Sequence, residues 1–150
     1  RVLEHRMTSQ LNVDTIVDKA GSGGTNVKVG NTSTYVADGG SATQNLVQAV
    51  SKAWVNFDGA SSNIPINDSF NVSGNTDNGT GDYTITYSNA MANGSYSLAG
   101  VGQAGGGGSV MGLAVNSTGG LTTASARIFT KTGSPADSDL VTSTINGDLA

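Results

Sequence analysis

Between Ser69 and Tyr87 the residues spell out a β-hairpin. Ser69-Phe70-Asn71-Val72-Ser73 alternates apolar and polar side chains, runs into Asp77-Asn78-Gly79-Thr80-Gly81, and returns as Asp82-Tyr83-Thr84-Ile85-Thr86-Tyr87. Alternation at period two sends successive side chains to opposite faces of a strand, and an Asn-Gly step supplies the positive φ angles of a tight turn. Phe70 and Val72 are therefore expected on one face with Tyr83, Ile85 and Tyr87. The Asn, Ser and Thr side chains take the other face, as in an antiparallel sheet wetted on one side.

The pattern extends through the rest of the C-terminal two thirds. Trp54-Val55-Asn56-Phe57 stops at Asp58-Gly59, Gly94 to Val101 alternates after Asn93-Gly94, and Val110 to Val115, Ala124 to Phe129 and Leu140 to Ile145 follow, each bounded by turn residues. Short strands at this spacing predict an all-β fold, an antiparallel β-sandwich of jelly-roll type with about seven or eight strands. Trp54, Phe57, Phe70, Tyr83, Ile85, Tyr87, Leu98 and Phe129 are the expected core. Composition agrees: charged residues are 12% of the chain, about half the roughly 25% usual in globular domains, and helical surfaces depend on Glu and Lys. Gly105-Gly106-Gly107-Gly108 is expected to be a mobile loop tip, since ordering glycine costs the most backbone entropy.

Residues 1–50 differ from residues 51–150. They hold one aromatic, Tyr35, and short apolar pieces split by Gly21-Ser22-Gly23-Gly24 and Asp38-Gly39-Gly40. So few large side chains cannot bury enough surface to offset chain entropy alone, which predicts an extended arm that borrows a partner. Leu11-Asn12-Val13-Asp14-Thr15-Ile16-Val17 is its best strand and Asn26-Val27-Lys28-Val29 a weaker one, while residues 1–10 carry no periodicity. Ser41-Ala42-Thr43-Gln44 has the form of a capping box leading into a short helix. On such a helix Leu46, Ala49, Val50 and Ala53 share one narrow stripe, the pattern of an oligomer seam. A single helical turn packed on its own domain, or the start of the next strand, accounts for the same residues.

Several chemistries find no support. The net charge is −4 and the 7 Lys and Arg are scattered, so no basic patch exists to neutralise phosphates. With no Cys and one His, disulfides, thiolate chemistry and the common soft-metal sites are not expected. The segment 77–82 departs from the calcium-loop spacing and lacks its bidentate Glu, so it reads as a turn. His5 lies in the least hydrophobic stretch with no marked partner, and Asp58, Asp68, Asp77 and Asp82 sit at or beside turns, where Asp bonds backbone. Sequons at Asn31, Asn67, Asn71, Asn78, Asn93 and Asn116 follow from a composition rich in Asn, Ser and Thr. No run of about 18 apolar residues and no signal pattern occurs, so neither membrane insertion nor a leader is expected. Neither a cofactor nor catalysis is expected.

Three pieces resemble a module found in tail-fibre and other structural proteins of tailed bacteriophages, especially those of aquatic bacteria: Leu11-Asn12-Val13-Asp14-Thr15-Ile16, the stretch from Lys52 to Tyr87, and Asn146-Gly147-Asp148-Leu149-Ala150. The middle piece carries the specific likeness. The resemblance implies a non-enzymatic virion component, commonly a homotrimer, anchored to other virion proteins by its N-terminal segment with its β domain facing outward. The usual long shaft is missing, which points to a short tail fibre, a fibre adaptor or a capsid decoration protein. The alternative is a carbohydrate-binding adhesin module recognising a host surface glycan.

Overall fold

The computed structural model of the chain describes residues 34–36, 41–105 and 109–150. A two-stranded antiparallel pair, β1 (Thr34–Val36) and β2 (Thr43–Asn45), precedes a single-turn helix α1 (Leu46–Ala49). Eight strands follow: β3 (Ala53–Phe57), β4 (Ile66–Phe70), β5 (Val72–Gly79), β6 (Asp82–Tyr87), β7 (Ser97–Gln103), β8 (Val110–Val115), β9 (Ser125–Lys131) and β10 (Leu140–Asn146). The all-β antiparallel architecture expected from the alternation is thus present. The eight strands form one sheet in the order β4-β3-β10-β7-β8-β9-β6-β5, which wraps around a single core in a nearly barrel-like form.

Period-two patterning decides which side chains face inward. In β3 they are Ala53, Val55 and Phe57, in β6 Tyr83, Ile85 and Tyr87, in β9 Ala126 and Ile128, and in β10 Val141 and Ile145, all buried. Phe57 and Tyr83 meet edge to face with ring centroids 5.2 Å apart, the arrangement that places a positive ring edge on a negative ring face.

Three members of the expected core lie elsewhere, and Leu98 sits at its margin. Trp54 belongs to the opposite parity from Val55 and Phe57, so it stands half-buried on the outside of β3, and Phe129 is likewise half-buried between Ile128 and Thr130. Leu98 packs half-buried against the core, and Phe70 is 54% exposed. Phe70 is separated from Val72 because Asn71 adopts φ 56°, a left-handed conformation that ends one strand and starts another. Phe70 therefore closes β4 at one edge of the sheet and Val72 opens β5 at the other.

Asn71 is held there by its own amide. Its Oδ1 accepts from Asn89 N at 2.7 Å, and its Nδ2 donates to Lys52 O at 3.0 Å and to Asn89 O at 3.1 Å. The hairpin after it is real but its turn is shifted: Gly79 pairs with Asp82, which leaves Thr80-Gly81 as the two-residue loop, with Gly81 at φ 64°. Asn78, expected in the turn, stays in β5 and its Nδ2 donates to Thr84 Oγ1 at 2.9 Å.

The helix is shorter than the capping-box reading implies. Thr43 and Gln44 pair with β1, and the cap is Asn45, whose Oδ1 accepts from Gln48 N at 2.9 Å. Val50 is already extended, and Lys52 N donates to Ile145 O at 2.8 Å as the sheet begins. The expected strands at 11–17 and 26–29, His5 and the tip of the glycine run at 106–108 lie outside the described residues.

Because the eight strands run to and fro, the wrapped sheet has two distinct ends. The chain enters β3 and leaves β10 at the same end, together with Asn71, the segment 88–96 and the segment 116–124. We call this the arm pole. The far pole carries 58–65, the Thr80-Gly81 turn, the loop between β7 and β8, and 132–139.

Candidate functional site

The described surface has a polar hollow at the arm pole. Residues 146–150 run past 90–93, where Ala92 N donates to Asp148 O at 2.8 Å and Ala150 N to Ala90 O at 3.0 Å. Helix α1 closes one side, with Gln48 Nε2 donating to Asp148 Oδ2 at 3.4 Å. Two adjoining grooves result. One of about 340 Å³ is lined by Gln48, Asn93, Ser95, Ser97, Asn146, Gly147 and Asp148, and one of about 470 Å³ by Val47, Gln48, Lys52, Ala92, Asp148, Leu149 and Ala150.

Two turns hold the walls. Asn93 Oδ1 accepts from Ser95 N at 2.7 Å, a side-chain imitation of a backbone turn. Gly147 is required because a Cβ there would lie 2.6 Å from Tyr96 Cβ. Behind them Tyr87 and Tyr96 share a hydroxyl contact of 3.0 Å, and Tyr96 Oη donates to Ser125 O at 2.9 Å.

Lys52 is 4% exposed, unusual for an ammonium group unless it is compensated. Its Nζ donates to Val50 O at 2.7 Å and also to Val47 O, so it fastens the chain leaving α1 to the sheet. Burial pushes its pKa down, while the nearby Asp148 carboxylate acts in the opposite direction. The hollow therefore offers amide and hydroxyl groups, one carboxylate and an ammonium group already bonded to carbonyls. That inventory suits hydrogen bonding to a neutral polyhydroxylated or peptide ligand. Among the described residues no serine hydroxyl of the hollow's lining is hydrogen-bonded to the Asp148 carboxylate, which accepts from Gln48.

Asp58 and Asp77 bond backbone at turns as expected, whereas Asp68 lies within β4 and Asp82 bonds side chains instead. Asp58 Oδ1 accepts from Ala60 N at 2.9 Å and its Oδ2 from Ser61 Oγ at 2.5 Å, which holds its pKa below the usual value. Asp77 Oδ1 accepts from Gly79 N at 2.8 Å, Asp68 Oδ1 from Ser69 N at 2.8 Å, and Asp82 is paired with Arg127. Among the described residues no group of three His, Asp or Glu is placed to hold a metal ion.

The expected oligomer stripe is divided. Leu46 and Ala49 lie on α1 and are exposed, Val50 follows it in extended conformation at 54% exposure, and Ala53 is wholly enclosed in β3. A helix continuing to residue 53 would have kept the four together. The β10 ladder claims Ala53, so only Leu46, Ala49 and Val50 remain available for contact. The groove residues Gln48, Asn93, Ser95, Ser97, Asn146 and Asp148 come from segments far apart in sequence, and the Asn-Gly turns at 93–94 and 146–147 were their only sequence signal. No family model, no curated protein and no solved structure matches this chain.

Proposed function

We propose that the chain is a non-enzymatic structural component of a tailed-phage virion, attached through residues 1–50 with the β domain projecting from the particle. The observation that carries this reading, beside the resemblance, is the uneven distribution of exposed apolar side chains. Tyr35, Val36, Leu46, Val50, Phe70, Val115 and Leu149 are 38–54% exposed and all belong to the arm, to the arm pole or to strand ends that reach it. Val101 and Val110 are the exceptions. A soluble domain that gathers exposed apolar groups at one end has the form of a protein with one buried, contact-making end and one wet end. Apart from Val110, the far pole offers Asp58, Asp137, Asp139, glycine and hydroxyl side chains. Homotrimeric association through the arm fits the same asymmetry. The test is immunogold labelling of particles purified from the source culture, with antibodies raised against residues 132–139. Labelling of intact virions is expected, and the absence of the chain from purified virions would overturn the proposal.

The second reading, a carbohydrate-binding module, is favoured by the amide and hydroxyl lining of the arm-pole hollow. A glycan array decides it: a specific saccharide hit that Asn93→Ala and Asn146→Ala abolish supports the adhesin reading.

A further inference from the structure

We infer that β5 accepts an additional strand, and that the strand is Leu11–Val17 from a second copy of the chain. β4 and β5 are the two edge strands of the sheet, they follow one another through Asn71, and no ladder joins them. Among the described residues nothing pairs with the outer edge of β5, so a row of backbone N–H and C=O groups is free there.

The two edges are not equivalent. β4 is five residues long, follows Pro65, is bulged beside Phe57 and carries Asp68, the usual devices that discourage pairing. β5 spans eight residues with no proline. It also carries an unmet demand. Both polar atoms of the Asn75 side chain are buried and have no partner among the described residues, and Asn75 stands opposite the enclosed Ile85, on the inner face. Buried amides are nearly always bonded, so this one marks a place where a donor and an acceptor are missing.

Leu11–Val17 supplies what is missing. Seven residues extend about 23 Å, close to the length of β5. With Leu11, Val13 and Val17 turned inward, the one polar residue on that face is Thr15, whose hydroxyl both donates and accepts. A second copy is the source because Phe70, 54% exposed on the outer face of β4 opposite Trp54, leaves an apolar surface beside Asn71 that a neighbouring chain would cover. Strand addition of this kind draws its affinity from main-chain hydrogen bonds and its register from alternate side chains. The inference rests on the oligomeric part of the proposed function, and its test needs no particle.

The chain has no cysteine, so engineered pairs can be read without background. Full-length protein carrying Thr15→Cys and Asn75→Cys, oxidised and run under denaturing conditions, should give disulfide-linked dimers or larger species. Asp14→Cys with Asn75→Cys, which puts the first thiol on the opposite face, should not. Intrachain disulfides alone would overturn the second-copy source, and no disulfide in either pair would overturn the strand addition. Independently, Asn75→Cys is avoided altogether in a comparison of wild type with the double variant Val13→Pro, Asp14→Pro. Amides of β5 should exchange about tenfold faster in the proline variant if the added strand protects them, and unchanged exchange would also overturn the inference.

Discussion

Arg127 holds Asp82 with two parallel bonds: Nε donates to Oδ1 at 2.9 Å and Nη2 to Oδ2 at 2.7 Å. The residues lie diagonally across adjacent strands, since Thr84 faces Arg127 and Phe129 faces Asp82. Asn116 Nδ2 adds a third donor, 3.2 Å from Oδ2. The guanidinium bonds hold the Asp82 carboxyl below its usual pKa, with burial opposing them. A carboxylate whose folded pKa is depressed stabilises the fold above its unfolded value, near 4, and that contribution is lost as pH falls through the lower folded value.

Asp82→Asn is accordingly expected to lower Tm at neutral pH, with the difference from wild type shrinking below about pH 4. Thermal melts across the acid range check this. A difference that stays constant would show that the pair contributes through packing alone.

Phe57→Ala is expected to cost about 3–5 kcal/mol, because it removes a fully enclosed ring and its edge contact with Tyr83. Trp54→Ala, on the outer face, is expected to cost about 1–2 kcal/mol despite the larger side chain. Urea denaturation midpoints of the two variants should rank in that order, and the reverse ranking would place Trp54 in the core.

Gly81 and Gly79 both have positive φ, but only one of them is crowded. A Cβ on Gly81 would lie 2.6 Å from Ala136 N and 2.7 Å from Thr130 O, while a Cβ on Gly79 meets nothing within 4 Å. Gly79→Ala is expected to cost about 1 kcal/mol from backbone strain, and Gly81→Ala at least about 2 kcal/mol because fixed backbone must move as well. Denaturant unfolding of the two single variants measures the difference.

Three buried tyrosines make the fold sensitive to alkali. Burial pushes the Tyr83 hydroxyl up to about 12, and burial, with the contact to Tyr96 added, raises Tyr87; burial also raises Tyr96. A group whose folded pKa is raised contributes stability that is whole below the unfolded value, near 10, and is lost as pH rises through the folded value. Stability should therefore decline above about pH 10, with tyrosinate absorbance appearing together with loss of the β-sheet circular dichroism signal. Tyrosinate forming well before unfolding would contradict the burial of these rings.

Period-two alternation made β3, β6, β9 and β10 legible from residues alone, because each has one face in the core. Parity was harder to read. Trp54 and Val55 are both apolar, so hydrophobicity did not show that the smaller residue points inward, and the ladder with β10 settled it. Asn71 was hidden for another reason: an Asn between Phe70 and Val72 continues an alternating pattern perfectly, and only its left-handed conformation separates them. The arm-pole hollow was least visible, since Gln48, Asn93 and Asp148 are brought together by long-range pairing of 90–92 with 148–150 that leaves no local pattern.

The even number of strands between Lys52 and Gly147 has a consequence for how such a domain can change over generations. Both connections to the sheet emerge together, so the segments 58–65 and 132–139 lie at the end farthest from them. Insertions at the exposed residues 62–63 and 132–134 would alter what the surroundings meet, while Ile64 and Ser138, enclosed at the same end, keep these segments fastened to the core.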